Sequence, residues 1–521
     1  MATRHGRRRL VALLIVGTAV VGGVLGMQRY VLDESPTASR GDPPADDNAP
    51  GTTTSAEQNA ETAQPEEPDP DALAPSGFAT PGLLTFRGGP HRDYYGEGPV
   101  PQDPEILWSH PTDGNPMCHT SARDGNSWCG TGWTGQPAVF ERDGRTWVVF
   151  GAYDRRVHFL DYHTGKNILP PFEIADIIKG SVSVDPDGFP LVYVGGALED
   201  TKLHVVAIDR AQPQELWSLD AHDVSPTMWW DNWDGSSLVV DDYLFEGGEN
   251  SVFHVVKLNR EYDDDGLVQV SPELVFSAPG WDQELLDGLV GSARDAQNVS
   301  IENSVAYHDG IVYFSNGGGL VQGWDVSGLD EGVEPTRVFR FWAGDDTDAT
   351  MTMDDEGFLY VPVEWQHQLP RGREVGQVLK LDPSKPNDPV VWAFHDPAAG
   401  GCCGEAHEAG LWATLGLHED LIIAPTHTGT IYGLDRMTGE VRWEIDRGAK
   451  TWSSPVIVDD VWIQGSCDNT LSAYDVSDTS VQPPELWSVQ VDGCIESTPA
   501  LWQGRLFVGA RGGFFYAIGD R

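Results

Sequence analysis

Basic residues are scarce in this sequence. Its 521 residues contain 33 Lys and Arg against 80 Asp and Glu, which gives a formal net charge of −47 at pH 7. An acidic shell repels phosphate backbones, so nucleic-acid binding is excluded as a function. The charge predicts a solvated, highly soluble surface, which would also suit cations or basic partners.

Large apolar residues are nearly absent between positions 33 and about 76, where Pro, Asp, Glu, Thr and Ala predominate. Such a segment cannot bury enough surface to offset the entropy lost on ordering it. Residues 30–81 are therefore predicted to be a disordered acidic linker.

An apolar stretch from Leu10 to Met27 precedes this linker and follows four arginines between positions 4 and 9. It is long enough to cross a bilayer, and its basic flank should remain in the cytoplasm. This predicts a cytoplasmic N-terminus over 1–9, a transmembrane signal-anchor helix over 10–29 and an extracytoplasmic body at the cell membrane. A cleaved signal peptide is the alternative. Because no cysteine lies near the stretch, a lipoprotein anchor is excluded.

Two catalytic signatures are also absent. The sequence has no Gly-x-Ser-x-Gly elbow for a nucleophilic serine and no Gly-rich phosphate loop between a strand and a helix. Cys118-His119, and His407 beside Cys402 and Cys403, combine residue types that bind zinc. An oxidising exterior favours disulfides for these cysteines instead.

A repeated unit accounts for most of the chain. Its clearest copy is Gly433-Leu434-Asp435-Arg436-Met437-Thr438-Gly439-Glu440-Val441-Arg442-Trp443, and looser copies begin at Phe159, Ala207 and Ala473. Each copy follows a short apolar strand pattern, and the tryptophans at 392, 443 and 487 are 51 and 44 residues apart. A period of this length, built from short strands and turns, predicts a β-propeller.

Counting the repeats predicts eight blades over residues 82–521. Seven blades are complete along the chain, but the last has only three strands and ends near Ile518. The segment from Pro104 to Ser109 reads like the rim strand from Pro484 to Ser488, yet no blade precedes it. Pairing it with the three C-terminal strands would close the ring and remove both free sheet edges. The predicted fold class is all-β, an eight-bladed β-propeller closed by an N-terminal rim strand.

The repeat resembles that of the pyrroloquinoline-quinone-type (PQQ-like, quinoprotein-like) propeller family. The resemblance rests on the blade consensus Ala/Gly-x-Asp-x-x-Thr-Gly-x-x-x-Trp, on the lead-in Phe86-Arg87-Gly88 and on the Trp-Ser rim strand, and it covers roughly residues 82–521. It implies that the repeat's Asp and Thr-Gly form structural turns and that its Trp docks between blades. Family members include dehydrogenases that hold the quinone and Ca²⁺, and an outer-membrane assembly propeller that holds neither.

The cysteines map to the loops of one face, which is therefore the predicted binding face. Chain topology predicts the disulfide Cys118–Cys129 within one loop and Cys467–Cys494 between adjacent blades. Cys402 and Cys403 are then left as neighbours in a Gly-flanked loop and are predicted to form a vicinal disulfide. Such a pair could contact a cofactor; the alternatives are a disulfide that only stabilises the loop, or two free thiols.

The resemblance implies that such a cysteine pair can lie against a quinone ring, with a Trp on the other side and an Arg nearby. The candidate cofactor-binding residues on this basis are Cys402, Cys403, Trp229, Trp230, Arg294, Glu405 and His407. They come from separate loops, and nothing in the sequence shows that these loops converge.

Two Ca²⁺ sites are possible, because this ion prefers oxygen ligands. The resemblance implies a Glu, an Asn and an Asp around it, and the candidates of those types are Asp295, Asn298, Glu302 and Asn303. A loop that caps its own turns is the alternative there. The second candidate comprises Glu261, Asp263 and Asp265, which resemble the first half of a Ca²⁺ loop; a plain acidic hairpin is the alternative.

The whole sequence predicts a membrane-anchored, extracytoplasmic propeller that acts as a binding or scaffold module. Its expected partners are the membrane, through the N-terminal helix, and a protein or small molecule on the loop face, with no cofactor assigned. A PQQ- and Ca²⁺-dependent dehydrogenase that uses the face carrying Cys402 and Cys403 is the alternative function. A structural cell-surface protein is the third.

Overall fold

The computed structural model describes residues 76–521 except 134 and 401–407, and short strands are its main regular elements. Its helices are short: α-helices Gln283–Gly288 and Pro370–Val375, and 3-10 helices Ala221–Asp223 and Leu329–Glu331. Within the described part of the chain, no helix is long and apolar enough to span a membrane. The predicted anchor over 10–29 and nearly all of the predicted linker lie outside the described residues.

Eight sheets of four or five strands form the predicted eight-bladed propeller. From the channel to the rim, blade one contains Gly82–Leu83, Ala138–Arg142, Arg145–Ala152, Arg156–Asp161 and Phe172–Glu173; blade two Ser183–Val184, Leu191–Gly195, Lys202–Ala207 and Gln214–Asp220; blade three Leu238–Val240, Tyr243–Gly247, Val252–Lys257 and Glu273–Pro279; and blade four Ala306–His308, Ile311–Phe314, Leu320–Asp325 and Thr336–Trp342.

The other four blades follow the same order. Blade five contains Thr352–Met353, Leu359–Pro362, Val378–Leu381 and Val390–Phe394; blade six Gly416–His418, Leu421–Pro425, Thr430–Asp435 and Val441–Asp446; blade seven Val456–Val458, Val461–Gly465, Thr470–Asp475 and Glu485–Gln490; and blade eight Gly96–Glu97, Ala500–Trp502, Arg505–Gly509, Phe515–Gly519 and Glu105–His110. Short two-stranded ladders add Cys118–Thr120 with Ser127–Cys129, Arg260–Tyr262 with Val268–Val270, and Glu364–Trp365 with Ala409–Gly410.

Blade eight joins the two ends of the propeller, and this confirms the predicted closure. The rim strand Glu105–His110 runs antiparallel to Phe515–Gly519, with Ile106 opposite Ile518 and His110 opposite Phe515. Closure by hydrogen-bonded strands from both ends of the fold makes the ring a single cooperative unit, because opening it exposes two sheet edges.

The repeat signature holds neighbouring blades together. In blade six, Asp435 accepts two backbone N–H groups of its own turn, both at 2.9 Å. Gly439 in that turn has a φ of 74°, and a Cβ there would lie 2.5 Å from the indole ring of Trp392, which docks from the rim of blade five. Gly165 in blade one receives Trp108 from blade eight in the same way. The repeat therefore needs Gly at this position for both its backbone conformation and the approach of the ring.

Residues 82–97, here called the plug, pass along the innermost strands of most blades and were not predicted from the repeat. Two of its segments pair with blades one and eight, and four further hydrogen bonds reach blades two, four, five and six: Val184 N to Leu84 O at 2.6 Å, Tyr307 N to Pro90 O at 2.9 Å, Met353 N to His91 O at 2.9 Å, and Leu417 N to the Tyr95 hydroxyl at 2.7 Å. The plug thus satisfies backbone groups at the inner edges of these sheets.

Candidate functional site

In seven of the blades, one described residue lies at an equivalent place shortly before the blade's own strands begin. Seven described residues each lie four positions before the first residue of an innermost strand: Lys179, Asp234, Glu302, Asp348, Trp412, Trp452 and Glu496. We call these the ring positions. Four of their side chains line one small cavity, which Trp133 also borders. In blade order, Trp412 and Trp452 follow directly after Asp348 and precede Glu496.

The first carboxylate cluster consists of Asp234, Glu249 and Glu302, whose oxygens lie within 4.8 Å of one another. The Nζ atom of Lys179 is 2.9 Å from Oδ2 of Asp234 and 3.2 Å from Oε1 of Glu249. Because a buried charge is costly without a counter-ion, this ammonium group stabilises the carboxylates next to it. The first cluster therefore already holds a cation of its own.

The second carboxylate cluster consists of Asp346, Asp348 and Glu364, whose oxygens also lie within 4.8 Å of one another. Asp346 and Glu364 are buried, and Asp348 is partly buried. One oxygen of each carboxylate is buried without a hydrogen-bond partner, namely Oδ1 of both aspartates and Oε1 of Glu364. Neighbouring carboxylates, rather than cations, are the main charges that act on all three.

Burial and mutual repulsion perturb the acids in both clusters. Burial, with the neighbouring carboxylates next in size, raises the pKa of Asp346, Asp348 and Glu364 well above its ordinary value. Burial followed by the charge of Asp348 does the same to the pKa of Glu302, which links the two clusters. Burial raises the pKa of Asp234 to about 7 in spite of Lys179. A cation that enters the second cluster would therefore displace protons.

The second cluster fits Ca²⁺ in both chemistry and spacing. With Ca–O distances of about 2.3–2.6 Å, oxygens on opposite sides of the ion are about 4.6–5.2 Å apart. The cluster oxygens all lie within 4.8 Å of one another, which is compatible with these separations. The cavity bordered by Glu302, Asp348 and the tryptophans has a volume of about 10 Å³, which is room for about one water molecule or ion. An aromatic cofactor does not fit in that space.

The aromatic part of the ring is built from stacked side chains. The rings of Trp412 and Trp452 are stacked with centroids 4.7 Å apart, and Trp133 approaches Trp412 at 6.5 Å. Trp452 Nε1 donates to Nδ1 of His427 at 3.0 Å. Burial, with a smaller effect of Lys450, lowers the pKa of His427 to about 4. His427 is therefore neutral at pH 7 and can accept this hydrogen bond.

An open cleft of about 820 Å³ lies on the loop face and includes Arg294 and Lys450 in its lining. The Arg294 guanidinium is 3.8 Å from Oε1 of Glu408, and Oε2 of the same carboxylate is 3.6 Å from Nε2 of His427. Gln366, which also lines the cleft, donates a hydrogen bond to Glu364 in the second cluster. One side chain thus connects the cleft to the buried carboxylates.

Of the predicted Ca²⁺ ligands in blade four, Glu302 takes a ring position, whereas the other three side chains make local contacts. Asn303 donates to two backbone carbonyls at 2.8 and 2.9 Å, and Asp295 accepts a backbone N–H two residues further on at 2.9 Å. Asn298 accepts from the Ser300 hydroxyl at 2.8 Å. The same Ser300 hydroxyl also lies 2.8 Å from Oε1 of Glu302, so Asn298 and Glu302 are near neighbours. The role of all four residues as Ca²⁺ ligands stays a prediction.

The predicted cofactor residues fall into three places. Arg294 lines the cleft. Trp229 and Trp230 are each 39% exposed and border neither the cleft nor the channel cavity, and the Arg123 guanidinium lies 5.4 Å above the ring of Trp230. The remaining four, Cys402, Cys403, Glu405 and His407, lie outside the described residues.

The acidic hairpin candidate is a turn that caps itself. Asp263 Oδ1 accepts the backbone N–H groups of Asp265 at 3.0 Å and of Leu267 at 2.9 Å, and its Oδ2 accepts from the Gln269 amide at 2.9 Å. The candidate metal site formed by Glu261, Asp263 and Asp265 therefore stays a prediction.

Two predicted disulfides are confirmed. Cys118 bonds to Cys129 across a short hairpin, and Cys467 bonds to Cys494 between blades seven and eight.

Sequence reasoning missed the carboxylates that the fold brings closest together. The second cluster comes from two segments of blade five, and Lys179, Asp234 and Glu249 come from blades two and three. Sequence position could have indicated Lys179, Asp234 and Asp348, because each lies four places before the first strand of its blade. No shared residue type marks these places, so the repeat consensus did not reveal them.

Comparison with known proteins supports the fold. Residues 372–509 match the family model described as outer membrane protein assembly factor BamB. The matched segment runs from late in blade five to blade eight and does not include the second cluster. No curated protein matches the sequence. The resemblance to PQQ-type propeller repeats is confirmed by this match together with the solved structures below.

Several solved structures are similar at low sequence identity. The quinohemoprotein alcohol dehydrogenase from Comamonas testosteroni has a TM-score of 0.56 at 14% identity, over 85% of this chain and 81% of that chain. BamB from Moraxella catarrhalis has a TM-score of 0.39 at 14% identity, over 81% and 99% of the two chains. The computationally designed Ika8 protein has a TM-score of 0.48 at 14% identity, over 74% and 95%. At 14% identity, the match to the alcohol dehydrogenase, with its TM-score of 0.56, shows a shared fold and leaves function open.

Proposed function

We propose that this protein is a membrane-anchored, extracytoplasmic binding propeller that takes up a ligand on its loop face, above a divalent cation held in the channel. The observation that carries the proposal is the second carboxylate cluster. Three acids converge there, each with one buried oxygen that lacks a hydrogen-bond partner. Leaving such groups unpaired costs free energy, and a bound cation would remove that cost.

Ca²⁺ is the cation that this cluster suits best. Its donors are all carboxylate oxygens, the hard ligands that Ca²⁺ prefers, and they all lie within the diameter of its coordination shell. The first cluster provides an internal comparison, because there Lys179 supplies a positive charge within 3.2 Å of two carboxylates. The second cluster has the same kind of acids without such a partner. A bound ion should therefore stabilise the second cluster more than the first.

The cleft gives the proposed ligand its chemistry. Arg294 and Lys450 provide positive charge, while Gln366 and Gln368 provide amides that donate and accept hydrogen bonds. A ligand or peptide with carboxylate and carbonyl groups would pair with both kinds of side chain. Because Gln366 also bonds to Glu364, occupancy of the cleft and of the cluster should be coupled.

A quinone- and Ca²⁺-dependent dehydrogenase is the second candidate function. The stacked Trp412 and Trp452 beside the carboxylates favour it, since an aromatic surface next to a cation site is what a planar quinone would need. The residues fit the metal, but the cavity of about 10 Å³ between them does not fit the quinone. A quinone would have to occupy the cleft, which is lined in part by Arg294.

Calorimetric titration of purified full-length protein tests both candidates. We expect saturable Ca²⁺ binding that Asp348→Asn and Glu364→Gln weaken at least about tenfold, roughly 1.4 kcal/mol. The matched control Asp265→Asn removes a carboxylate from the rival acidic hairpin and should leave the affinity unchanged. Loss of binding in Asp265→Asn alone would move the site to the hairpin and overturn the proposal.

Addition of pyrroloquinoline quinone to the Ca²⁺-loaded protein separates the binding module from the dehydrogenase. The binding proposal expects no saturable quinone binding and no dye-linked alcohol oxidation. Micromolar quinone binding that is abolished by Cys402→Ser and Glu302→Ala would establish the dehydrogenase instead.

The proposed location has its own test. The basic flank before Leu10 and the two disulfides support an exterior propeller. Protease added to intact spheroplasts should release a soluble propeller by cleavage within residues 33–70. Protection of the propeller until the membrane is lysed would place it on the other side.

A further inference from the structure

A separate group of side chains of metal-ligand type joins the plug to a turn of blade five, at the end of the channel away from the loop face. A ring nitrogen of His91 and carboxylate oxygens of Asp93 and Asp355 lie within 4.8 Å of one another. Nδ1 of His91 is 3.7 Å from Oδ1 of Asp355. We propose that these three residues bind a divalent transition metal of the Zn²⁺ class and thereby fix the plug to blade five.

The donor set distinguishes this site from the channel clusters. An imidazole nitrogen with two carboxylates suits Zn²⁺ and related first-row ions, whereas Ca²⁺ prefers oxygen alone. With Zn–N and Zn–O distances of about 2.0–2.2 Å, tetrahedral ligand atoms lie about 3.3–3.5 Å apart. The His91–Asp355 separation of 3.7 Å is already close to that value. Three protein ligands leave at least one position for water.

Both segments that carry the ligands are held in place by other contacts. The His91 carbonyl accepts the backbone N–H of Met353 at 2.9 Å, in the innermost strand of blade five. On the opposite side, Asp354 accepts the backbone N–H of Phe358 at 2.9 Å and forms an ion pair with Arg436 at 3.0 Å. The turn that presents Asp355 is thus fixed, and a metal would have little backbone left to order.

A second histidine orients the first. Nδ1 of His308 lies 2.9 Å from Nε2 of His91, so the two rings share one hydrogen bond. In the tautomer in which His91 donates from Nε2, its Nδ1 lone pair points towards the carboxylates. A lone pair facing carboxylate oxygens is unfavourable unless a cation lies between them. Metal-bound histidines commonly have their other ring N–H held in this way by a neighbouring group.

Electrostatics also favour a cation at this point. Asp93 and Asp355 bring two negative charges to one place, and Asp355 is 99% exposed, so the site is accessible. The overall charge of −47 increases the local concentration of cations around the whole protein.

Co²⁺ titration followed by visible absorption, with Zn²⁺ competition, tests the site in purified full-length protein saturated with Ca²⁺. We expect one Zn²⁺-displaceable Co²⁺ site whose affinity falls about tenfold or more in His91→Ala, Asp93→Asn and Asp355→Asn. The matched control is Glu356→Gln, an exposed acid in the same turn as Asp355, and it should bind as the wild type does.

Two further variants make the outcome decisive. His308→Ala should weaken Zn²⁺ binding without abolishing it, because it removes only the group that orients His91. Asp348→Asn, in the channel, should leave Zn²⁺ binding unchanged, so the two metal proposals can fail separately. Equal affinities for wild type, His91→Ala and Asp355→Asn would overturn the inference. Because Asp355 is exposed, its variant remains informative even where His91→Ala does not fold.

Discussion

Replacing Asp348 with Asn should make the Ca²⁺-free protein more stable, although it removes a charged residue from the channel. In the second cluster, Asp348 lies beside Asp346 and Glu364, with oxygens within 4.8 Å. Two unit charges at this upper limit of separation repel by about 3.5 kcal/mol at an effective dielectric constant of about 20. Protonation relieves part of this repulsion, so we expect Asn to raise the free energy of unfolding by about 1–3 kcal/mol at pH 8.

In the presence of Ca²⁺, the wild-type protein should become more stable than Asp348→Asn. A ligand that binds the folded state adds RT ln(1 + [L]/Kd), which is about 2.7 kcal/mol when its concentration is a hundred times Kd. Wild-type protein should gain roughly this amount, whereas the Asn variant lacks one ligand carboxylate and should gain little. The assay is denaturant unfolding at pH 8, in EDTA and in Ca²⁺, with Asp265→Asn as the control for the loss of one carboxylate.

Two outcomes would refute this reasoning. If Asp348→Asn is less stable than wild type in EDTA, the carboxylate makes a favourable contact in the metal-free protein and the cluster is not a site of repulsion. If both proteins gain equally from Ca²⁺, the ion binds elsewhere.

Three other perturbations test the fold. Burial, followed by the charge of His158, lowers the pKa of His110 to about 4, below the ordinary value of 6.5. The neutral His110 should therefore contribute fully to stability above pH 6.5, and this contribution should be lost as the pH falls towards 4. The free energy of unfolding of His110→Gln should vary less across that pH range than that of the wild type. Gly439→Ala should cost about 1–3 kcal/mol more than Gly448→Ala in denaturant unfolding, because both positions have positive φ but only the first would place a Cβ against Trp392. Deletion of residues 82–110 should cause aggregation on size-exclusion chromatography, whereas deletion of 31–70 should leave the thermal midpoint nearly unchanged; equal tolerance of both would contradict closure by Glu105–His110.

The blades could be predicted because each carries its own local signal. The strand pattern, the Asp–Thr–Gly turn and the rim Trp recur within about fifty residues, and their contacts join only neighbouring blades. The docking of Trp392 onto Gly439 shows why the Gly and the Trp recur in each copy of the repeat. The closing strand was found because Trp108 repeats the rim pattern without a blade of its own.

The plug could not be found in this way. Its paired segments Gly82–Leu83 and Gly96–Glu97 have two residues each, too few for a periodic pattern. Its buried side chains obtain their partners from different blades: Arg92 donates to the carbonyls of Val305 and Ser236 in blades four and three. Such contacts exist only after the ring has closed, so no window of sequence contains them.

The ring positions explain why one repeat can serve different functions. The side chains at four of these positions, Glu302, Asp348, Trp412 and Trp452, line the channel cavity and lie outside the strands of their blades. Lys179, Asp348 and Trp412 therefore occupy equivalent places in blades that keep the same fold. A change of residue there alters charge, metal affinity or aromatic surface without altering the repeat. For a propeller of this kind the repeat identifies the architecture, whereas the ring positions, together with neighbours such as Asp346 and Glu364, determine the chemistry of the channel.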